Sequence, residues 1–482
     1  MLYIWTLSVL LTTACGAVYD YGAYDPARDD FRPGTFPDCF IWSTATASYQ
    51  IEGGWNTDGK GQSIWDVFSH RPGKVQRGDT GDVACDSYNR YRDDVQLMKA
   101  MGLKHYRFSL SWPRIFPDGT LAGGVNQDGV DYYNRLIDEL IANGIAPMVT
   151  LYHWDLPQAL HEKYGGWMNE AIVDDYHNYA TFAFQTFGDR AHTKAWHTYD
   201  TTFRHLQGGK VGITLNLLWK EPRDPDLPAD VEATDRALQI YSRWFAQPIF
   251  GNGEYPPVIQ QTLRRLRSVM QLEGLEFSDE DKSSIRGSAD FFGLNHYTTG
   301  IVANKPIDIQ TQSVLESFEE TPTPEWPRAQ SDWLFAVPWG LRRMLKYIKE
   351  NFGDPEVFIT ENGWSDGDVQ PPIMEDTGRI CYYMTYIDEA LKAIEEDGVK
   401  VRGYTAWSLL DNFEWAKGYT ERFGLHYVNF TDPNRPRTPK QSAKFYSDII
   451  ANNGFPDGAE ITNMVKDMWM KCRGPKAVKD EL

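Results

Sequence analysis

From Phe36 to Asn452, short apolar runs alternate with amphipathic helical ones. That alternation is the pattern of a parallel sheet whose strands are joined by crossover helices. Strand-like runs fall at Phe40–Gln50, His105–Trp112, Ile145–Asp155, Lys210–Asn216, Asp290–Thr298, Glu356–Ile359 and Arg402–Leu409. Helical spacing marks Tyr91–Met101, Asp131–Asn143, Glu170–Phe187, Ala233–Phe245, Val258–Arg267, Pro338–Asn351, Cys381–Asp397 and Lys440–Asn452. The rhythm breaks once. The stretch from Arg190 to Gly208 reads as a helix, so two helices follow each other with no strand between them. Seven strands in this order predict an α/β chain: a single-domain (β/α)8 TIM barrel lacking, or rearranged at, its fourth strand.

Composition narrows the function. The 482 residues are 41% hydrophobic and 24% charged, which is globular and long enough for a large core. A net charge of −19 argues against nucleic acid or an anionic membrane surface as partner. The 17 Trp and 26 Tyr suit the apolar C–H faces of sugars, although a large core uses such rings as well.

The two ends carry addresses. Residues Leu2–Ala14 are a short apolar run followed by Cys15-Gly16-Ala17, which predicts a secretory signal over residues 1–17. The run is too short to span a membrane. The chain ends Lys479-Asp480-Glu481-Leu482, the signal for retention in the endoplasmic reticulum, on a tail that begins near residue 457. A lumenal location makes Asn429-Phe430-Thr431 a glycosylation site. Cys39, Cys85, Cys381 and Cys472 would remain after cleavage, and four cysteines allow three pairings. No cluster has metal-ligand spacing and no cofactor is implied.

Two charged residues stand out on the strands. Glu361 follows the apolar run Val357-Phe358-Ile359 directly, at the C-terminal end where such barrels place their chemistry. Arg107 lies inside its strand and needs a carboxylate partner there. Around them lie six stretches: Phe40–Gly54, His105–Gly119, Val149–Leu160, Phe291–Thr298, Ile359–Trp364 and Ala406–Leu425. Together they resemble glycoside hydrolase family 1, the β-glucosidase, lactase and myrosinase family, over nearly all of residues 18–456.

The resemblance implies a retaining β-glycosidase with two carboxyl groups about 5 Å apart. It implies Glu361 as the nucleophile, with Arg107 and Tyr297 holding it ionised. Gln50, His153, Glu414 and Trp415 resemble the residues that bind the hydroxyls of the sugar. Trp407 resembles the platform beneath its ring, and Asn295 lies near the same site. The substrate class is then a β-glucoside or related glycoside.

One part of the pattern is missing. The acid/base glutamate of the family sits in an Asn-Glu-Pro motif at the end of the fourth strand. Here Phe187-Gly188-Asp189-Arg190 leads straight to Lys194–Arg204, which resembles the helix after that strand. On the order of fifty residues are absent, more than one barrel unit. Lys220-Glu221-Pro222 ends in Glu-Pro but follows the next strand, so Glu221 is a decoy. Asp200, His192 and His197 fall near the junction on a helix and are no better placed. Two readings follow: a β-glycosidase impaired for want of its acid, or a glycan- or partner-binding protein on the same barrel. A thioglucosidase, which needs no such acid, is a third.

Overall fold

The computed structural model describes residues 31–187, 193–270, 276–307, 317–321 and 326–455. Seven strands form one sheet: β1 Ile41–Ala45, β2 His105–Ser109, β3 Ala146–Thr150, β4 Gly212–Asn216, β5 Phe291–Asn295, β6 Val357–Asn362 and β7 Val401–Trp407. Their spatial order is β3-β2-β1-β7-β6-β5-β4, and every neighbouring pair is parallel. The sheet curls as a barrel does but does not close. Its edges, β3 and β4, flank the place where the predicted fourth strand is missing, and they do not pair with each other.

Helices cover the sheet: α1 Ser87–Ala100, α2 Gln127–Ala142, α3 Ala171–Phe187, α4 Pro338–Asn351, α5 Thr377–Glu395 and α6 Gln441–Asn452. After α3 come helical residues Thr193–Thr198, a π-turn Tyr199–Phe203 and Arg204–Gln207, so the two successive helices are present. Gly208 ends the second with φ +68, a left-handed conformation that glycine adopts without strain. Elsewhere the core is dense and aromatic. The buried Trp112 ring stacks on Tyr179 of α3 at 4.8 Å, locking the β2 exit against that helix.

Five predicted strands run past their observed ends, among them Asp290–Thr298, which stops at Asn295, and Arg402–Leu409, which stops at Trp407. The run Phe40–Gln50 pairs only to Ala45, and Ser48–Ile51 is a helical turn. There the Ser48 N–H donates to Ser109 Oγ at 2.7 Å, so a side chain replaces the sheet ladder. His105–Trp112 stops at Ser109, because Pro113 opens the short helix Trp112–Ile115. Ile145–Asp155 stops at Thr150 and continues as loop.

A second sheet escaped prediction. Trp219–Pro222, Thr299–Asn304 and Phe318–Thr321 form three strands over the barrel mouth, partly from the long stretch Asn304–Gln330 read as a loop. Cys381 is disulfide-bonded, while Cys39 and Cys85 are free thiols. Residues 1–17, His192, Cys472 and the tail with its KDEL lie outside the described residues. Among the described residues no helix is long and apolar enough to cross a membrane, and no group of His, Cys, Asp or Glu could hold a metal.

Candidate active site at the mouth of the barrel

Glu361 projects from the end of β6, where the pairing register with both β5 and β7 shifts. Its carboxylate is held from two sides. Arg107 Nη1 of β2 donates to Oε1 at 2.7 Å, and the Tyr297 hydroxyl donates to Oε2 at 2.8 Å. Arg107 is itself fixed: Nη1 also reaches the Thr360 carbonyl at 2.9 Å, and Nε donates to Thr150 Oγ1 at 2.9 Å. Burial, with Glu361 next to it, pushes the Tyr297 phenol well above its ordinary pKa, so it stays a donor.

The following residues explain the rest of the motif. Asn362 is fully buried, donating to the His296 carbonyl at 2.6 Å and to Tyr382 at 3.0 Å while accepting from Tyr404. Gly363 has no side chain because a Cβ would meet the Trp407 carbonyl oxygen at 2.0 Å. Asn362 and Gly363 therefore seat the strand end that carries Glu361.

Opposite lies a polar and aromatic wall. The Gln50 amide donates to Asn412 Oδ1 and to the Phe413 carbonyl, both at 2.9 Å, and its Oε1 is buried without a partner. Oε1 of Glu414 is likewise buried and unpartnered. Burial, with Glu421 and Glu361 nearby, raises the Glu414 pKa well above the carboxylate range, against hydrogen bonds with Trp407 and Asn412. The His153 ring lies parallel to Trp407 at 5.7 Å and to Trp415 at 6.0 Å. Its pKa is lowered to about 4, chiefly by burial; Glu361 opposes that shift and Arg107 adds to it. Asn295, at the end of β5, accepts from Thr360 Oγ1 at 2.8 Å.

Of the nine predicted site residues, Arg107 lies within β2, Asn295, Glu361 and Trp407 near or at the ends of β5, β6 and β7, and Gln50, His153, Tyr297, Glu414 and Trp415 on segments that follow strands. Sequence reasoning missed Thr150, Asn362 and Trp154. Trp154 is 63% exposed, sits 6.0 Å from Trp415 and adopts φ +70, a conformation rare for a bulky residue and frequent at functional sites.

The decoys are placed elsewhere. Glu221 belongs to the second sheet, where it is paired with Arg343 and accepts from Trp219 Nε1 at 2.7 Å. Asp200 pairs with Arg204 at 2.6 Å, and His197 bonds the Ser284 carbonyl at 2.8 Å.

The profile of glycosyl hydrolase family 1 matches residues 32–200 and 190–455. The chain belongs to glycosyl hydrolase family 1. The match is split at 190–200, where the expected strand is missing. Human lactase/phlorizin hydrolase is 44% identical over 90% of this chain, although the chain spans 25% of that protein's length. Human cytosolic β-glucosidase is 43% identical over 87% of this chain and 99% of its own length. That second alignment runs over 472 residues, whereas 87% of 482 is about 420. About fifty positions of the relative therefore face nothing here, against roughly thirty residues for one barrel unit. A solved rice β-glucosidase variant, in covalent complex with Glc, superposes with a TM-score of 0.80 at 38% identity. It covers 86% of this chain and 98% of its own.

Proposed function

We propose that this family 1 chain is a β-glycosidase in which Glu361 is the nucleophile and no carboxylic acid protonates the leaving group. The observation that carries this is the two-sided hold on Glu361 by Arg107 and Tyr297, beside a wall of unpaired acceptors. Buried acceptors without partners are costly, and the hydroxyls of a sugar would satisfy those of Gln50 and Glu414. His153 and Trp415 complete that wall, Trp407 lies under the ring, and Asn295 faces the same space.

In the first step a Glu361 oxygen attacks the anomeric carbon, and the bond to the glycosidic oxygen breaks with its electron pair on the departing group. In the second, water attacks the same carbon, releases its proton to solvent and frees Glu361, so configuration is retained. The covalent Glc complex of the rice relative supports this course. Without a proton donor the first step favours leaving groups that depart as stable anions.

The other carboxyl at the mouth, Glu414, hydrogen-bonds with Trp407 and Asn412 on the sugar side. That observation favours the second reading, a glycan-binding protein without turnover. An activated 2-fluoro aryl β-glucoside separates the two. Mass spectrometry should find the sugar on Glu361 and none on Glu361→Gln. Folded protein that acquires no adduct would leave only the binding reading.

The secretory signal over residues 1–17 and the KDEL tail place the protein, in this proposal, in the lumen of the endoplasmic reticulum. Asn429 is half-exposed in a turn closed by Thr431 Oγ1 at 2.7 Å, a geometry open to glycosylation.

A further inference from the structure

A large cavity among the described residues adjoins the sugar site and extends beyond it. It has a volume of about 980 Å³ and is lined by all of β4, by the end of β3 and by Val173, Tyr176 and His177 of α3. Arg107, His153 and Asn295 touch its upper end, but Gln50, Glu361, Glu414 and Trp415 do not line it. It is the slot between the two sheet edges, walled outside by helices and inside by the barrel.

We propose that this slot binds an extended segment of another polypeptide, which pairs with β3 and β4 at once and completes the barrel wall. Three observations carry the proposal. First, β3 pairs only with β2, and β4 only with β5. Among the described residues no backbone hydrogen bond is made on their outer edges. Toward the slot β4 turns the N–H and C=O of Gly212, Thr214 and Asn216, while β3 turns the N–H and C=O of Val149 and the C=O of Pro147, which has no N–H.

Second, the slot is bordered by large apolar side chains left in water. Trp167, Val173, Tyr241 and Phe245 are 48%, 44%, 47% and 58% exposed, and all four line it. A contiguous patch of this kind marks an interaction surface.

Third, the lining contains no Asp or Glu, its cations Arg107 and Lys210 are already paired with Glu361 and Glu356, and burial keeps His153 neutral. The side chains of the occupant that enter the slot are therefore apolar and uncharged rather than ionic. A lipid chain would fill the same apolar volume. It would leave the backbone groups of both edges dry and unpaired, at about 1–3 kcal/mol for each. An extended peptide of five or six residues fills the volume and satisfies those groups, as in strand addition to an exposed sheet edge.

The test uses the full chain and a fluorescent ten-residue peptide. Its central six residues alternate Val or Ile with Thr. A second peptide has the same sequence with alternate backbone nitrogens methylated. The first should bind by fluorescence anisotropy, and methylation should weaken it at least tenfold. Hydrogen exchange should slow at amides within Ala146–Thr150 and Gly212–Asn216 when the peptide is present. The exposed changes Val173→Glu and Phe245→Glu, which leave the core intact, should each weaken binding severalfold. Absence of binding overturns the proposal, as does equal affinity for the methylated peptide. Displacement of the peptide by oleate, without protection of the edge amides, would assign the slot to apolar ligands instead.

Discussion

Arg107 Nη1 lies 2.7 Å from Glu361 Oε1, an ion pair that joins β2 to β6 across 254 residues of sequence. Both side chains are more than nine-tenths buried. A buried pair contributes little net stability by itself, because desolvation offsets the attraction. Removing one partner is a different matter. Arg107→Met leaves a buried carboxylate with only the Tyr297 hydroxyl, and should destabilise the fold by about 3–5 kcal/mol at pH 7. Adding Glu361→Gln to that variant should recover much of the loss. Urea unfolding of the two single variants and the double one measures this coupling.

The proposed lack of an acid predicts a steep dependence on the leaving group. A 2,4-dinitrophenyl glucoside should turn over, while an alkyl glucoside should be slower than with an acid-equipped enzyme by about 10²–10⁴-fold. Azide attacks the covalent intermediate without needing a general base. It should raise the steady-state rate with the dinitrophenyl substrate and yield the β-glucosyl azide. Product analysis by NMR checks both the rescue and the retained configuration. An α-azide would contradict a covalent intermediate.

Glu221 offers a control. Its ion pair with Arg343 is buried, and it belongs to the second sheet rather than to the strand ends that carry Glu361. Glu221→Gln should lower the unfolding free energy by about 3–5 kcal/mol, since it strands a buried guanidinium. Labelling of Glu361 by the 2-fluoro glucoside should proceed at the normal rate, provided the assay temperature stays below the lowered Tm. A selective loss of labelling in well-folded variant would return Glu221 to the list of catalytic candidates.

Much of this architecture is legible in the chain because parallel strands buried on both faces read as unbroken apolar runs. Val357-Phe358-Ile359 is such a run, and its abrupt polar end exposes Glu361. The break at Arg190 is legible for the same reason, since a missing strand removes one beat from a regular pattern. Strand ends were overrun at Gln50, Trp112 and Asp155. There the chain stays apolar after leaving the ladder, and only contacts such as Ser48 to Ser109 mark the exit. The second sheet was hidden because Phe318–Thr321 is acidic and short, with no periodicity to betray pairing. Thr150 and Asn362 escaped because their work depends on Arg107, Tyr382 and Tyr404, neighbours that only the folded chain supplies.

His296 should make the protein acid-sensitive in a separable way. It is fully buried, Nδ1 donates to the Leu217 carbonyl at 2.8 Å, and Nε2 has no partner. Burial lowers its pKa from 6.5 to about 4; the Leu217 hydrogen bond opposes this and Lys220 adds to it. The folded state thus prefers the neutral ring more than the unfolded chain does. That preference stabilises the fold fully above pH 6.5 and is lost as pH falls toward 4. Its full size is about 3 kcal/mol, from 1.36 kcal/mol per pKa unit. Asp155 and Glu389, both raised to about 7 chiefly by burial, act in the opposite sense over the same window. The overall stability curve therefore conceals the histidine. A difference between proteins reveals it: His296→Asn keeps a donor for Leu217 but does not titrate. Between pH 7.5 and 4.5 the unfolding free energy of the natural chain should drop by about 2–3 kcal/mol more than that of the variant. Parallel pH profiles for the two would show that His296 does not carry the effect.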